Sequence, residues 1–165
     1  MSETKDISAA AKDGGADAKD WPPNIQAVFK RMAPASRYLG LEIVSADRDA
    51  GTVEVAFNAG PELCNMWGGI QGGMVAAMLD DVMSLAVGLG LEWGQISPTL
   101  ELKVSMLAPA RPGRIKALGR VLKRGKSVAF IEGELFNAEG TLLATASSTA
   151  SFVTLKRKEK EAPQE

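Results

Sequence analysis

The chain has 165 residues, of which 45% are hydrophobic, and a formal net charge of −1. This length allows one domain with a substantial core, and the near-neutral charge argues against a nucleic-acid-binding surface. The single cysteine excludes an intrachain disulfide, and the absence of histidine excludes Ser-His-Asp catalysis, Cys-His catalysis and His-ligated zinc. Any chemistry must therefore use carboxylates, amides, hydroxyls and backbone N–H groups.

The two ends of the chain have the composition of tails. Residues 1–20 are small or charged and show no apolar periodicity, which predicts disorder. Residues 156–165 read KRKEKEAPQE, which is typical of a solvated charged segment. There is no apolar core of a secretory signal and no run of the ~18 apolar residues that a membrane span needs. The pattern predicts a cytoplasmic protein with one folded domain over residues 21–155.

A short helix and a hairpin are predicted before the centre of the chain. Apolar residues at helical spacing after Pro22 and Pro23 predict a helix that ends at Pro34. The runs LGLEIVSA (39–46) and TVEVAFN (52–58) flank the turn-rich DRDAG and predict two antiparallel strands.

One long helix and four strands are predicted next. Apolar residues on one broad face predict a helix over about 72–89. Runs at 98–107, 114–124, 127–137 and 141–155 predict strands connected in series by hairpin-sized loops. Because the helix must bury its apolar face, and the sheet is the only large surface for it, we expect an α+β fold. A curved antiparallel sheet of about six strands should wrap one central helix.

The strand predicted after the helix alternates strictly between apolar and polar residues. Its apolar face is predicted to carry Leu100, Leu102, Val104 and Met106. Its other face is predicted to carry Thr99, Glu101, Lys103 and Ser105.

The start of the long helix, within NMWGGIQGGMVAAMLDDVM (65–83), has the features of an oxyanion hole. Gly72 and Gly73 lie where first-turn N–H groups have no partner within the helix. The absence of a side chain lets a ligand oxygen approach the backbone, and the helix dipole favours negative charge there. These glycines are therefore candidates for polarising a carbonyl group.

Asp80 is the candidate acid in the same helix. It lies eight residues after Gly72, about 12 Å along the helix axis, so it cannot reach an oxygen held by Gly72 of its own chain. The small residues Ala76, Ala77 and Ser84 on the same side would let a second body approach closely. The spacing suggests a dimer with sites at its interface; the alternative is an ordinary solvated helical acid.

Three stretches of the chain have counterparts in one known family. N-x-W-G-G-I-Q-G-G-x-x-x-x-x-x-D, TLELKVSMLAPARPG and GKSVAFIEGELFNAEGTLLATASST resemble parts of the hot-dog-fold acyl-CoA thioesterases of the phenylacetate-degradation, or PaaI-like, type. Their counterparts are the signature N-x-x-G-x-x-H-G-G-x-x-x-x-x-x-D, the strand after the helix and the last two strands. The resemblance extends over about residues 38–154 and implies hydrolysis of an acyl-CoA thioester to the free acid and coenzyme A.

The resemblance also implies catalytic roles. Asp80 would be the general base or the nucleophile, and the Gly72 N–H would polarise the thioester carbonyl, with the two residues supplied by different subunits. Asn65 would orient the carbonyl or the water; the alternative is that it is only a turn residue. Thr99 would assist the water; the alternative is that it is an ordinary residue on the strand surface. Gln71 takes the place of the family's usual histidine, and its amide can form hydrogen bonds but cannot titrate.

The remaining predicted contacts are with the substrate. Trp67 either lines the acyl pocket or packs, and Gly73 lies beside the oxyanion glycine. Five basic residues are candidates for holding the phosphates of coenzyme A: Arg111, Arg114, Lys123, Arg124 and Lys126. The alternative is that they belong to ordinary basic turns. No metal or cofactor is predicted, because coenzyme A is part of the substrate.

The predicted assembly is a homodimer, with a homotetramer favoured. Two other functions stay open: a non-catalytic acyl-CoA binding or sensing protein, which Gln71 favours, and a structural oligomerisation domain. The sequence does not specify the acyl group.

Overall fold

The computed structural model describes Gln26, residues 32–92 and residues 94–155. The predicted tails and most of the predicted N-terminal helix lie outside these residues. A helix α1 (Pro34–Tyr38) begins at Pro34, where the sequence pattern was expected to end one. Proline is favoured at this position because its fixed φ suits the first turn and its missing N–H is not needed there.

Two strands and a long helix follow α1. The strands are β1 (Leu41–Asp47) and β2 (Thr52–Ala59), and the helix is α2 (Gly72–Gly88). Six strands come after α2: β3 (Gln95–Ile96), β4 (Thr99–Met106), β5 (Gly113–Arg124), β6 (Val128–Phe136), β7 (Leu142–Ser151) and β8 (Val153–Thr154). None of the described helices is both long and apolar enough to cross a membrane.

Six strands form one antiparallel sheet in the order β1-β2-β5-β6-β7-β4, and β3 pairs with β8 separately. This confirms the predicted α+β hot-dog arrangement of one long helix and six antiparallel strands. The prediction that β4 and β5 are hairpin partners is wrong. Because β2 and β6 occupy the two sides of β5, strand β4 pairs with β7 and lies at the edge of the sheet.

Helix α2 packs directly against two glycines that face each other in the sheet. Gly119 of β5 pairs with Gly133 of β6. A Cβ atom added at Gly119 would lie 2.5 Å from the carbonyl oxygen of Val82. A Cβ atom added at Gly133 would lie 3.0 Å from Cγ of Met83. Side chains at these positions would push the helix away from the sheet. The buried face of α2 comprises Val75, Met78, Leu79, Val82, Met83, Leu85, Ala86 and Val87.

Candidate active site

A closed loop precedes α2. The Asn65 N–H donates to the carbonyl oxygen of Gly69 at 2.8 Å, and the Gly68 N–H donates to the carbonyl oxygen of Asn65 at 3.0 Å. Oδ1 of Asn65 accepts a hydrogen bond from the N–H of Trp67 at 2.9 Å, so Asn65 is a turn residue whose amide nitrogen is left as a donor. Trp67 is 80% exposed at the loop tip and does not pack into the core of its own chain.

The start of α2 presents two N–H groups that make no hydrogen bond within the described part of the chain. The carbonyl oxygen of Gln71 accepts hydrogen bonds from the N–H groups of Met74 and Val75, at 2.8 and 3.1 Å. The N–H groups of Gly72 and Gly73 donate to no acceptor among the described residues. The exposed Gln71 side chain does not cap the helix. The candidate oxyanion donors are therefore open at the positive end of a 17-residue helix.

The fold brings Asp80 and Thr99 together. The Thr99 hydroxyl donates a hydrogen bond to Oδ1 of Asp80 at 2.8 Å. The strict alternation predicted for β4 is wrong at its start, because the register shifts between Thr99 and Glu101. This bulge places Thr99 opposite Ala150 on the side of the sheet that faces α2. Leu100, predicted on the apolar face, is instead 62% exposed.

The face of α2 around Asp80 is only partly covered. Asp80, Ala76, Ala77 and Ser84 are all half-buried, and Gly73 is exposed. Within α2, Asp80 lies eight positions after Gly72, the first residue of the helix, about 12 Å along its axis. One chain therefore holds the acid and the oxyanion donors apart, on a surface lined by small residues.

Asp81 has an environment that the sequence pattern did not reveal. Its Oδ1 accepts a hydrogen bond from the hydroxyl of Ser36 at 3.1 Å, and its buried Oδ2 has no hydrogen-bond partner among the described residues. Burial raises the pKa of Asp81 above its ordinary value, the Ser36 hydrogen bond opposes this, and the neighbouring charge of Asp80 adds to it. Ser36 is itself only 6% exposed, so the pair joins α1 to α2 within the protein.

We expect Ser36→Ala to lower the free energy of unfolding by about 1–3 kcal/mol, because it leaves a buried carboxyl group without a hydrogen bond. The loss should grow as pH rises. Because the pKa of Asp81 is higher in the folded than in the unfolded chain, its contribution to stability falls as pH rises above the unfolded pKa. Losing the Ser36 hydrogen bond raises the folded pKa further and enlarges that fall.

Urea unfolding near pH 4 and near pH 8 measures this effect. Ser127→Ala, at an exposed serine, is the control and should change stability by less than about 0.5 kcal/mol. Equal losses for the two variants would contradict a role for the Ser36–Asp81 pair.

Two of the predicted cations for coenzyme A have partners in the protein. Nη1 of Arg114 lies 2.7 Å from Oε2 of Glu42, and the hydrogen bonds from Arg114 and Asn58 hold the pKa of Glu42 below its ordinary value. The guanidinium carbon of Arg124 lies 4.2 Å from the centre of the Phe152 ring. Both arginines are exposed, so these contacts orient them without burying their charge.

The other three predicted cations lie in different parts of the fold. Arg111 follows Ala110, whose carbonyl oxygen accepts a hydrogen bond from the N–H of Ile70 at 2.9 Å. Arg111 is therefore next to the loop that leads into α2. Lys126 is exposed in the turn between β5 and β6, and Lys123, also exposed, lies next to Arg124 at the end of β5 that leads into this turn. The structure thus places Arg111 near the glycines, and Lys123, Arg124 and Lys126 at or beside a separate turn.

Comparisons with known proteins consistently find thioesterases. The sequence model of the thioesterase superfamily matches residues 68–144, which contain Gly72, Asp80 and Thr99. The medium/long-chain acyl-CoA thioesterase YigI of Salmonella typhimurium is 30% identical over 137 residues, covering 74% of this chain and 87% of that protein.

Solved structures share the same architecture. A thioesterase-like, phenylacetic acid degradation-related protein from Ralstonia eutropha is 36% identical with a TM-score of 0.73, covering 78% of this chain and 98% of that one. The PaaI protein of the Escherichia coli phenylacetic acid degradation operon is 19% identical with a TM-score of 0.71 over 79% of this chain and 91% of that one, which shows the fold alone. The chain thus matches these proteins over nearly their whole lengths.

Proposed function

The chain belongs to the thioesterase superfamily and is a thioesterase, and we propose that it hydrolyses an acyl-CoA thioester to the free acid and coenzyme A. The observation that carries this proposal is the hydrogen bond from Thr99 to Asp80. It orients a carboxylate on the partly covered face of a helix whose first N–H groups are open. The relative YigI, an acyl-CoA thioesterase, supports coenzyme A as the thiol component.

In the proposed reaction, water attacks the carbonyl carbon of the thioester. Asp80 accepts the proton of the water, and the hydrogen bond from Thr99 keeps the carboxylate in position. The Gly72 N–H stabilises the oxyanion at the positive end of α2. The carbon–sulfur bond then breaks, and the proton moves to the departing thiolate. We propose that no metal or redox cofactor takes part, because these groups supply every step.

The same arrangement also permits Asp80 to act as the nucleophile. Its carboxylate would then attack the carbonyl, expel the thiolate and form an anhydride that water cleaves. A single turnover in heavy-oxygen water reveals the nucleophilic route when water cleaves the anhydride at the Asp80 carbonyl. Cleavage at the Asp80 carbonyl of the anhydride would label the aspartate side chain, whereas the general-base route labels only the released acid.

The proposed site combines Asp80 of one subunit with Gly72 of its partner. The separation of about 12 Å along α2 keeps these groups apart within one chain. Small, half-buried residues around Asp80 leave room for a second subunit. Among the described strands, β4 pairs with β7 alone, so its other edge can pair with a second chain. The homotetramer stays a prediction.

A mixing experiment tests the shared site. Chains carrying Asp80→Asn and chains carrying Gly72→Pro each lack one half of the proposed site. After unfolding and refolding together, random dimers should regain about a quarter of wild-type activity, because half are mixed and each mixed dimer has one intact site. If both groups served one site within a single chain, no intact site would form and activity would not return.

The other predicted site residues keep proposed roles. The amide nitrogen of Asn65 and the exposed side chain of Gln71 would donate hydrogen bonds to the carbonyl or the water. Trp67 would cover the acyl group from its exposed position. Arg111 would hold a phosphate of coenzyme A, because it borders the loop before α2. Arg114, Arg124 and Lys126 would contact coenzyme A bound across the dimer.

Thiol release from a panel of acyl-CoA compounds tests the proposed function. The panel should span medium-chain, long-chain and aromatic acyl groups, and the released coenzyme A is detected with a thiol-reactive dye. We expect turnover of at least one class. No thiol release from any compound would overturn hydrolysis.

A non-catalytic acyl-CoA binder is the second candidate. Gln71 favours it, because an amide cannot exchange a proton where the family usually has histidine. Calorimetric titration with the same panel separates the candidates, since a binder takes up acyl-CoA without releasing thiol. A structural oligomerisation domain would do neither.

A further inference from the structure

The bulge in β4 places one end of the strand at Asp80 and the other end near Gly72 of the same chain, which contribute to the two different sites of the proposed dimer. Leu102, Val104 and Met106 pair with residues of β7 on the same side as Thr99, and all of them face α2. Thr99 meets Asp80 at one end of the strand. Met106 is the last residue of the strand, at the other end.

Met106 borders the candidate oxyanion residue directly. A Cβ atom added at Gly72 would lie 3.5 Å from Cε of Met106. Apart from the adjacent residues and the backbone of α2, no other described heavy atom would lie within 4 Å of that Cβ. A Cβ atom added at Gly73 would have no described heavy atom within 4 Å, apart from the adjacent residues and the backbone of α2. The Met106 methyl group is therefore the side-chain group that flanks the residue whose N–H would hold the carbonyl.

The exposure of Met106 is unusual for its position on the inner side of the sheet. Its side chain is 51% exposed, whereas the residue opposite it on β7, Ala144, is fully buried. Leu102 and Val104, next to it on the same face, are half-buried. An apolar strip along β4 thus begins at the carbonyl position and stays partly uncovered in the single chain. A hydrocarbon acyl group matches this strip in chemistry and position.

We propose that Met106 contacts the acyl carbons next to the thioester carbonyl and determines which acyl groups enter the site. This rests on the proposed acyl-CoA hydrolysis. Methionine is flexible and unbranched, so it adapts to a straight chain. A branched or aromatic group beside the carbonyl requires the volume that the methionine side chain fills. Met106 is thus a specificity-determining residue that favours straight-chain acyl groups.

The test compares kcat/KM for octanoyl-CoA, isobutyryl-CoA and benzoyl-CoA in the wild type and Met106→Ala. The substitution should raise the ratio of branched or aromatic to straight-chain kcat/KM by about tenfold or more. Met106→Leu should stay near the wild-type ratio. Leu122→Ala, at a leucine of β5 that is also half-exposed at 50%, is the matched control and should leave all three values unchanged.

Binding of non-hydrolysable thioether analogues of the same compounds separates this inference from the proposed function. If the wild type releases no thiol but Met106→Ala still shifts the relative affinities for the analogues, hydrolysis is overturned and the role of Met106 stands. If Met106→Ala lowers kcat/KM and affinity equally for all acyl groups, the specificity role is overturned. A change in oligomeric mass with unchanged acyl ratios would also overturn it, by assigning Met106 to a subunit interface.

Discussion

Asp80→Asn is expected to lower kcat for acyl-CoA hydrolysis by about 10²–10⁴-fold. Asparagine has the shape of aspartate, and its side-chain oxygen can still accept the hydrogen bond from Thr99. It cannot accept a proton from water, and it is a poor nucleophile, so the loss is expected for either mechanism. Because Asp80 is half-buried on a partly covered helix face, the free energy of unfolding should change by less than about 1 kcal/mol.

Asp81→Asn is a matched control in the next position of the same helix. It makes the same chemical change at a carboxyl group that faces Ser36 and takes no part in the proposed reaction. We expect its kcat to stay within a factor of about three of the wild type, with a change mainly in how stability depends on pH. Turnover of Asp80→Asn equal to that of the wild type would exclude Asp80 from the mechanism. An equal loss in both variants would show a general electrostatic effect instead.

The elements of the fold followed from local patterns. The apolar face of α2 and the β-hairpin at 39–58 depend on spacing within a few residues, and both were predicted. Within the catalytic segment, the distance between Asp80 and Gly72 required only the rise of a helix. These features could be predicted because each is decided by neighbours in the sequence.

Features decided by distant pairing could not be predicted. The bulge at the start of β4 exists because Thr99 pairs with Ala150, about fifty residues later, whereas simple alternation placed Thr99 on the opposite face. The Ser36–Asp81 hydrogen bond likewise joins residues that are 45 positions apart. No local signal distinguished Met106 from the other apolar residues of the strand. The contacts between residues distant in sequence were thus the ones that needed tertiary structure.

Gly72→Pro should reduce kcat by about 10²–10³-fold, the usual effect of removing one oxyanion donor. Proline removes the N–H of Gly72, and its fixed φ is well suited to the first residue of a helix. The preceding Gln71 already has ψ near 134°, as a residue before proline requires. Since that N–H makes no hydrogen bond within the described part of the chain, its removal should not lower the thermal melting temperature. Steady-state kinetics and thermal unfolding on the same preparation measure both effects.

Gly72→Ala separates the loss of the N–H from the addition of bulk. Alanine places a Cβ atom at the same point as proline, 3.5 Å from Cε of Met106 and in ordinary contact, but it keeps the N–H. If the N–H holds the oxyanion, Gly72→Ala should retain much more activity than Gly72→Pro, because alanine keeps the donor whereas proline replaces the amide hydrogen with a ring carbon. Equal losses in the two variants would mean that added bulk causes the defect. Wild-type kcat in Gly72→Pro would instead exclude this N–H from catalysis, and the oxyanion would need a different donor.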